Sequence, residues 1–307
     1  MNPFDTGPVL MKVLITGSSG LIGTALSKSL TAGGHSAIRL QRRNNDPESP
    51  VWDPENCLKD LARVGEIYAV VHLAGENIAD GRWSKTKKNR ILNSRVKGTK
   101  LLAEYFANSN QKPRLIISAS AVGFYVDRGA EIVDEDSKAG SGFLANVCVQ
   151  WEDALKVTVE AGIRVIKVRF GTVLSKKGGV LKKKMLLPFK LGLGGPVGHG
   201  RQWVSWIHME DLLAMLAWLL ENENTQGEYN GTAPTPVSNR ELSTTLGRVL
   251  HRPAIVPLPG FVLRLVLGEV AELVLGGQHV TPDRAVTEGF SFRFSELEPA
   301  LRDLLNG

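Results

Sequence analysis

Cysteine is almost missing: Cys57 and Cys148 are the two in 307 residues. Their spacing builds neither a disulfide framework nor a thiolate metal site, and such scarcity fits a reducing cytosol. Long apolar runs are missing too. DLLAMLAWLL (211–220) opens on a charge and is half the length of a membrane span, and FVLRLVLGEVAELVLGG is interrupted by Arg264, Glu269 and Glu272. The N-terminus lacks the charged-then-apolar order of a secretory signal. These absences predict a cytoplasmic protein with no membrane partner. No His, Cys and carboxylate cluster has ligand spacing, so no metal is expected. No Lys/Arg tract interleaved with aromatics supports a nucleic-acid partner. The formal charge of +6 describes either a slightly basic surface or a site for an anionic ligand.

What is present is an ordinary globular composition, 43% apolar and 22% charged, in a chain long enough for one large domain with a smaller partner. The first half alternates β-branched runs with amphipathic stretches, as in a parallel sheet covered by helices. Strand candidates are 12–17, 36–41, 68–75, 114–120 and 163–170, and their continuous apolar character suits burial on both faces. After residue 175 the texture turns to glycine and lysine, and from 232 proline-marked turns alternate with helices, one opening on a Ser238/Glu241 capping box. Residues 12–175 plus about 203–231 are expected to form a nucleotide-binding domain. Residues 176–202 plus 232–307 would form a smaller lobe over its open edge, with 1–11 as an extension.

Gly17, Gly20 and Gly23 directly follow a strand and open a helix, with Thr16 in front. The first glycine allows a tight turn, the second a close approach of backbone to pyrophosphate, and the third close helix–strand packing. The helix N-terminus then faces the phosphates. Thr16, Gly17, Ser18, Ser19, Gly20, Leu21, Ile22 and Gly23 are therefore cofactor candidates. The spacing G-x-x-G-x-x-G inside TGSSGLIG resembles the extended short-chain dehydrogenase/reductases, the group containing nucleotide-sugar epimerases and dehydratases, over about residues 12–305. That resemblance implies an α/β fold: a Rossmann-type doubly wound parallel sheet with a smaller C-terminal substrate lobe.

The second strand ends Gln41-Arg42-Arg43, with no carboxylate before Asp46. An acidic residue here would hold the ribose hydroxyls of NAD, whereas arginine suits the extra phosphate of NADP. NADP(H) is the expected cofactor, with Arg42 on the 2′-phosphate and Arg43 assisting; a solvated basic strand end is the alternative. Trp52-Asp53 is either a neighbour of the adenine or a surface turn. Leu73, Ala74 and Gly75 in HLAGENI match the family's fourth-strand segment, which runs along the cofactor. Arg95 lies on an apolar helix stripe with Leu92, Thr99 and Leu102. It either snorkels to a helix end or serves the cofactor or a substrate phosphate, since it occupies the place where many relatives carry asparagine.

The family's active site is a tyrosine with a lysine one helical turn later. The residues four after Tyr68, Tyr105, Tyr125 and Tyr229 are His72, Ser109, Gly129 and Ala233, so the pair is absent. On the helix 142–155 its places fall at or near Leu144 and Cys148, or Phe143 and Val147 in the adjacent register. Cys148 reads as a buried thiol or a nucleophile. SASAVGFY, C-x-x-W-E, LGLGGPVGHGRQWVSWIHMEDL and the C-terminal segment resemble one atypical branch, the epimerase-family or nucleoside-diphosphate-sugar-epimerase-like proteins. Ser120, at a strand's carboxyl end, matches the hydroxyl that positions substrate. Tyr125 is either an acid/base or a hydroxyl contact. His208 reads as structural and Asp211 as a helix-start residue or a catalytic one. Arg82, Trp83, Gln202 and Trp203 are substrate candidates, and Lys182 to Lys184 add positive charge over the cleft or form a solvated face.

Two functions remain open. One is an NADP(H)-dependent oxidoreductase or epimerase-like enzyme acting on a small carbonyl or hydroxyl compound, an anionic one if the basic charge is its counterpart. The other is a non-catalytic NADP(H)-binding redox sensor. The resemblance also implies a homodimer through helices 91–107 and 142–155.

Overall fold

The structure, a computed structural model, describes residues 10–42, 49–59 and 61–306; residues 1–9 of the extension expected at 1–11 lie outside them. Six strands form one all-parallel sheet: β1 (Lys12–Thr16), β2 (Ser36–Leu40), β3 (Ala69–His72), β4 (Leu115–Ala121), β5 (Arg164–Phe170) and β6 (Gly227–Gly231). Their spatial order is β6-β5-β4-β3-β1-β2. A parallel bridge from Gln41 to Val51 adds the short segment Val51–Asp53 outside β2. The order reverses between β1 and β3, which opens a crevice at their carboxyl ends, where sheets of this kind hold ligands.

Alternation sends neighbouring residues of one strand to opposite cores. Val13 and Ile15 of β1 pack on one face with Val71, Ile117 and Ile166, under α1 (Leu21–Ala32) and α4 (Met209–Glu221). Leu14 faces the other way with Val70, Ile116 and Val165, under α2 (Lys85–Ala107). The α3 helix (Phe143–Asp153) lies against α2. Helix α1 buries Gly23, Leu26, Ser27 and Leu30, the i, i+3, i+4, i+7 stripe expected of an amphipathic helix.

A separate core forms around α5 (Asn239–Val249) and α7 (Leu297–Asn306), with Leu242, Leu246, Leu301 and Leu304 closing on Trp206 and Phe294. Ser238 caps α5, its Oγ accepting the Glu241 N–H at 3.1 Å. Between these elements α6 (Gly260–Leu267) runs along the surface with none of its residues buried.

Candidate functional site

The loop from β1 to α1 is shaped by close packing. Gly17 sits at φ +63°, and a Cβ there would lie 2.7 Å from the Leu73 carbonyl carbon and oxygen. At Gly23 a Cβ would lie 2.4 Å from the Gly17 oxygen. These two glycines are required by the fold itself. Gly20 differs: it is exposed and caps α1 with no side-chain hydrogen bond, and the first turn carries no acidic residue. The N-terminal N–H groups of α1 therefore keep the capacity to bind an anion.

Under this loop lies a buried polar chain. Thr16 Oγ1 accepts N–H bonds from Leu73 (3.1 Å) and Ala74 (3.2 Å), which leaves its proton for His72 Nδ1 at 2.7 Å. His72 Nε2 is then the protonated nitrogen and donates to Thr99 Oγ1 at 2.9 Å. Burial, with Arg95 nearby, lowers the His72 pKa from 6.5 to about 4, so the ring is neutral. It ties β1, β3 and α2 together directly behind Gly17.

At the β2 edge, Arg42 is exposed and close enough to Glu76 to help lower that carboxyl's pKa, after the larger effect of the hydrogen bond from Lys87. Gln41 is held by backbone bonds to Pro50 and Trp52. Arg43 lies outside the described residues. Sequence reasoning missed Arg39, whose Nη2 donates to the Ser18 carbonyl at 2.9 Å and so stands beside the glycine loop. An arginine amid the apolar run SAIRL was the available signal. Trp52 is buried edge-on to His72, with ring centroids 6.0 Å apart.

Arg95 turns inward from α2. Its Nη1 donates to the carbonyls of Glu76 and Ile91, each at 3.1 Å, and its guanidinium lies 5.1 Å from the Trp151 ring centroid. A Cβ on Gly75 would lie 3.2 Å from the Arg95 Cζ, so the glycine leaves room for this cation. Arg95 is thus fixed at the carboxyl end of β3.

The expected places of the missing tyrosine and lysine, Leu144 and Cys148 or Phe143 and Val147, hold no hydroxyl or amine. Leu144 faces Gly123, with its Cβ 3.6 Å from where a Cβ on that glycine would stand. Cys148 is 5% exposed, and burial followed by the charge of Glu152 pushes its thiol up to about 12. It is a thiol at neutral pH, with Sγ 3.7 Å from the Ala121 carbonyl.

Ser120 opens a second buried network, which sequence reasoning did not see. Its Oγ donates to Glu152 Oε1 at 2.6 Å. Arg169 binds both Glu152 oxygens, Nε to Oε1 and Nη2 to Oε2, each at 2.9 Å. Its Nη1 donates to the Tyr125 oxygen at 2.9 Å, and Tyr125 donates to Asn230 Oδ1 at 2.8 Å. The Asn230 and Arg284 N–H groups bind the two oxygens of Glu135. Ser120, Glu152, Arg169, Tyr125, Asn230 and Glu135 are all buried. Burial pushes the Tyr125 hydroxyl up to about 12 despite Arg169 beside it. The signal for this network was an arginine and a glutamate on otherwise apolar faces.

Each of the four substrate candidates is engaged by the chain itself. Arg82 donates from Nε to the Val266 carbonyl at 2.9 Å and from Nη2 to that of Leu265, capping the end of α6. Trp83 donates to the Ile78 carbonyl at 2.8 Å and packs edge-on against Phe143 at 5.3 Å. Gln202 donates to the carbonyls of Val197 and Val274, both at 3.0 Å, while its buried Oε1 has no partner among the described residues. Trp203 stacks on His279 at 3.9 Å. His208 is buried and structural: its Nδ1 accepts the Glu210 N–H at 3.1 Å, and its ring lies on Phe294. Asp211 accepts the N–H groups of Arg293 and Phe294.

Comparison with known proteins gives this geometry a family. Residues 13–230 match the NAD dependent epimerase/dehydratase family, and 258–304 match a domain of unknown function, DUF1731. The chain is 40% identical over 291 residues to epimerase family protein Mb2239 of Mycobacterium bovis, covering 94% of this chain and 96% of that one. The crystal structure of human epimerase family protein SDR39U1 (isoform 2) with NADPH matches with a TM-score of 0.89 at 37% identity, over 96% of this chain and 99% of that one. The Thermus thermophilus UDP-glucose 4-epimerase complex with NAD, at 18% identity and TM-score 0.74 over 97% and 99%, shares the fold. With the Rossmann-type sheet, the glycine loop and the missing tyrosine–lysine pair in view, the chain belongs to the NAD dependent epimerase/dehydratase family, as an atypical epimerase-family member of the extended short-chain dehydrogenase/reductases.

Proposed function

We propose that the protein binds NADP(H) at the carboxyl ends of β1 and β3 and uses it on a small carbonyl or hydroxyl compound held above Ser120. The uncapped N-terminus of α1 carries this reading: two of the loop's three glycines are explained by packing, and Gly20 leaves the helix N–H groups open to a pyrophosphate. NADPH in the human relative supports it. Ser18, Ser19, Leu21 and Ile22 frame the phosphates beside Thr16, Gly17 and Gly23. Arg42, with Arg43, takes the 2′-phosphate, and Arg39 adds charge at the same loop. Leu73, Ala74 and Gly75 line the dinucleotide, and Arg95 supplies a fixed cation near the nicotinamide ribose in place of the missing lysine.

The bound nicotinamide supplies or accepts a hydride. The chain's own residues orient what reacts with it. Ser120 has committed its proton to Glu152, so the lone pairs of its oxygen are what it offers a substrate, and a hydroxyl group is the natural donor to them. Tyr125 positions Arg169 behind Glu152 and acts through that contact. Arg82, Trp83, Gln202 and Trp203 shape the cleft walls and their joint with the C-terminal lobe.

A second reading, an NADP(H)-binding redox sensor without turnover, is favoured by Leu144 and Cys148 standing where the proton-transfer pair would be. Calorimetric titration of the whole protein with NADPH and then NADH tests the shared part. Tight NADPH and weak NADH binding are expected, with Arg42→Ala weakening NADPH far more than NADH. Equal losses for the two dinucleotides overturn the Arg42 assignment, and binding of neither overturns both readings. Oxidation of bound NADPH across a panel of small aldehydes and ketones then separates enzyme from sensor.

A further inference from the structure

One face of the protein combines exposed apolar side chains with positive charge. Leu187, Leu191, Leu193, Ile255, Phe261 and Leu265 are 61–79% exposed. They come from two segments that run side by side. The Val256 N–H donates to the Gly194 carbonyl at 3.1 Å, Leu258 to Pro196 at 2.9 Å, and Gly198 back to Leu258 at 2.8 Å. Helix α6 follows at once, and Phe261 and Leu265 lie one turn apart on its outer side. Monomeric proteins rarely leave so many large apolar groups together in water.

The charge of the first of these segments has one sign, whereas beside α6 the exposed Arg264 pairs with Glu272. Residues 161–209 contain no Asp or Glu. Lys176, Lys177, Lys182, Lys184 and Lys190 of the same stretch are all exposed, and Arg252 joins them by donating from Nε to the Lys190 carbonyl at 3.1 Å. Among the described residues no helix is long and apolar enough to cross a membrane. Leucine and phenylalanine side chains on short helices and loops, with exposed lysines in the same stretch, have instead the composition of a surface that lies in a lipid headgroup layer.

We propose that this face docks the protein on an anionic lipid surface. The apolar tips enter the headgroup–acyl boundary while the lysines meet the lipid phosphates. Each lysine near such a surface contributes about 1 kcal/mol, a factor of about five in partitioning. The lysines make lipid the favoured occupant, because a second copy of this chain would bring the same positive charge against itself.

Flotation of the full-length protein with phosphatidylcholine vesicles, with and without phosphatidylglycerol, tests this. Binding should require phosphatidylglycerol and weaken as salt is raised. Lys182→Ala/Lys184→Ala should lower partitioning about 25-fold, and Phe261→Glu/Leu265→Glu should abolish it. Unchanged circular dichroism and melting temperature in both variants confirm that they are folded. No flotation with the anionic vesicles overturns the proposal, as does binding to both vesicle types that survives the lysine substitutions. Self-association of the wild type that Phe261→Glu/Leu265→Glu abolishes, without vesicle binding, would assign the face to a second copy.

Discussion

His72 is the point at which the site's architecture can be weighed against pH. The unfolded chain's imidazole titrates near 6.5 and the folded one near 4, because burial and then Arg95 oppose its charge. Between those values only the unfolded state takes up a proton, so stability falls as pH drops through the window. The full shift corresponds to about 3 kcal/mol, and about 2 kcal/mol of it should be gone between pH 7 and pH 5. His208 and His279 are also held below the ordinary histidine value by burial and contribute in the same direction. The comparison therefore needs His72→Gln, which keeps an acceptor for Thr16 and a donor for Thr99 but does not titrate. Urea denaturation of both proteins at pH 7 and pH 5, followed by tryptophan fluorescence and circular dichroism, gives the difference directly. The wild type should lose about 2 kcal/mol more than His72→Gln over that interval. Equal losses would refute the neutral, doubly hydrogen-bonded ring and with it the Thr16–His72–Thr99 clasp.

Two further substitutions test the rest of the site. Gly17→Ala places a methyl group 2.7 Å from the Leu73 carbonyl at φ +63°, so it should destabilise the protein by about 1–3 kcal/mol and displace the loop, read as a lower urea midpoint and weaker NADPH binding. Glu152→Gln leaves the buried Arg169 guanidinium without its counter-charge and should cost about 3–5 kcal/mol in the same denaturation assay; a loss below about 1 kcal/mol would mean that the pair behaves like an exposed one.

The sheet was legible in the sequence because its strands are buried on both faces, and continuous apolar runs mark such strands well. Four of the five expected strands agree with the structure to within a residue at each end. The exception, expected at 68–75, stops at His72. The Leu73 N–H is shared between the Thr16 carbonyl and its side chain, and the Ala74 N–H turns to that side chain alone, contacts across more than fifty residues that no local pattern encodes. The glycine loop was legible for the opposite reason: its requirements are local, a tight turn and a close helix. The pairing of Arg169, Asn230 and Glu135 had no local signature because their partners come from distant strands and loops. The contact of Arg82 with the end of α6 was equally hidden, since it exists only once the C-terminal segment has folded back.

The same geometry bears on how a proton moves if the protein turns over substrate. In the wider family a tyrosine of lowered pKa gives the reaction a titrating group. Here three side chains in or behind the crevice have been moved out of the working range: His72 down to about 4, Cys148 and Tyr125 both up to about 12. Ser120 already donates its proton to Glu152, whose two oxygens also accept from Arg169. It follows that kcat, measured with whichever carbonyl compound oxidises bound NADPH fastest, should be flat from about pH 6 to about pH 10, where an ordinary general acid or base would bend the profile. The proton must then come from water or from the substrate. A bell-shaped profile within that range would refute this reasoning.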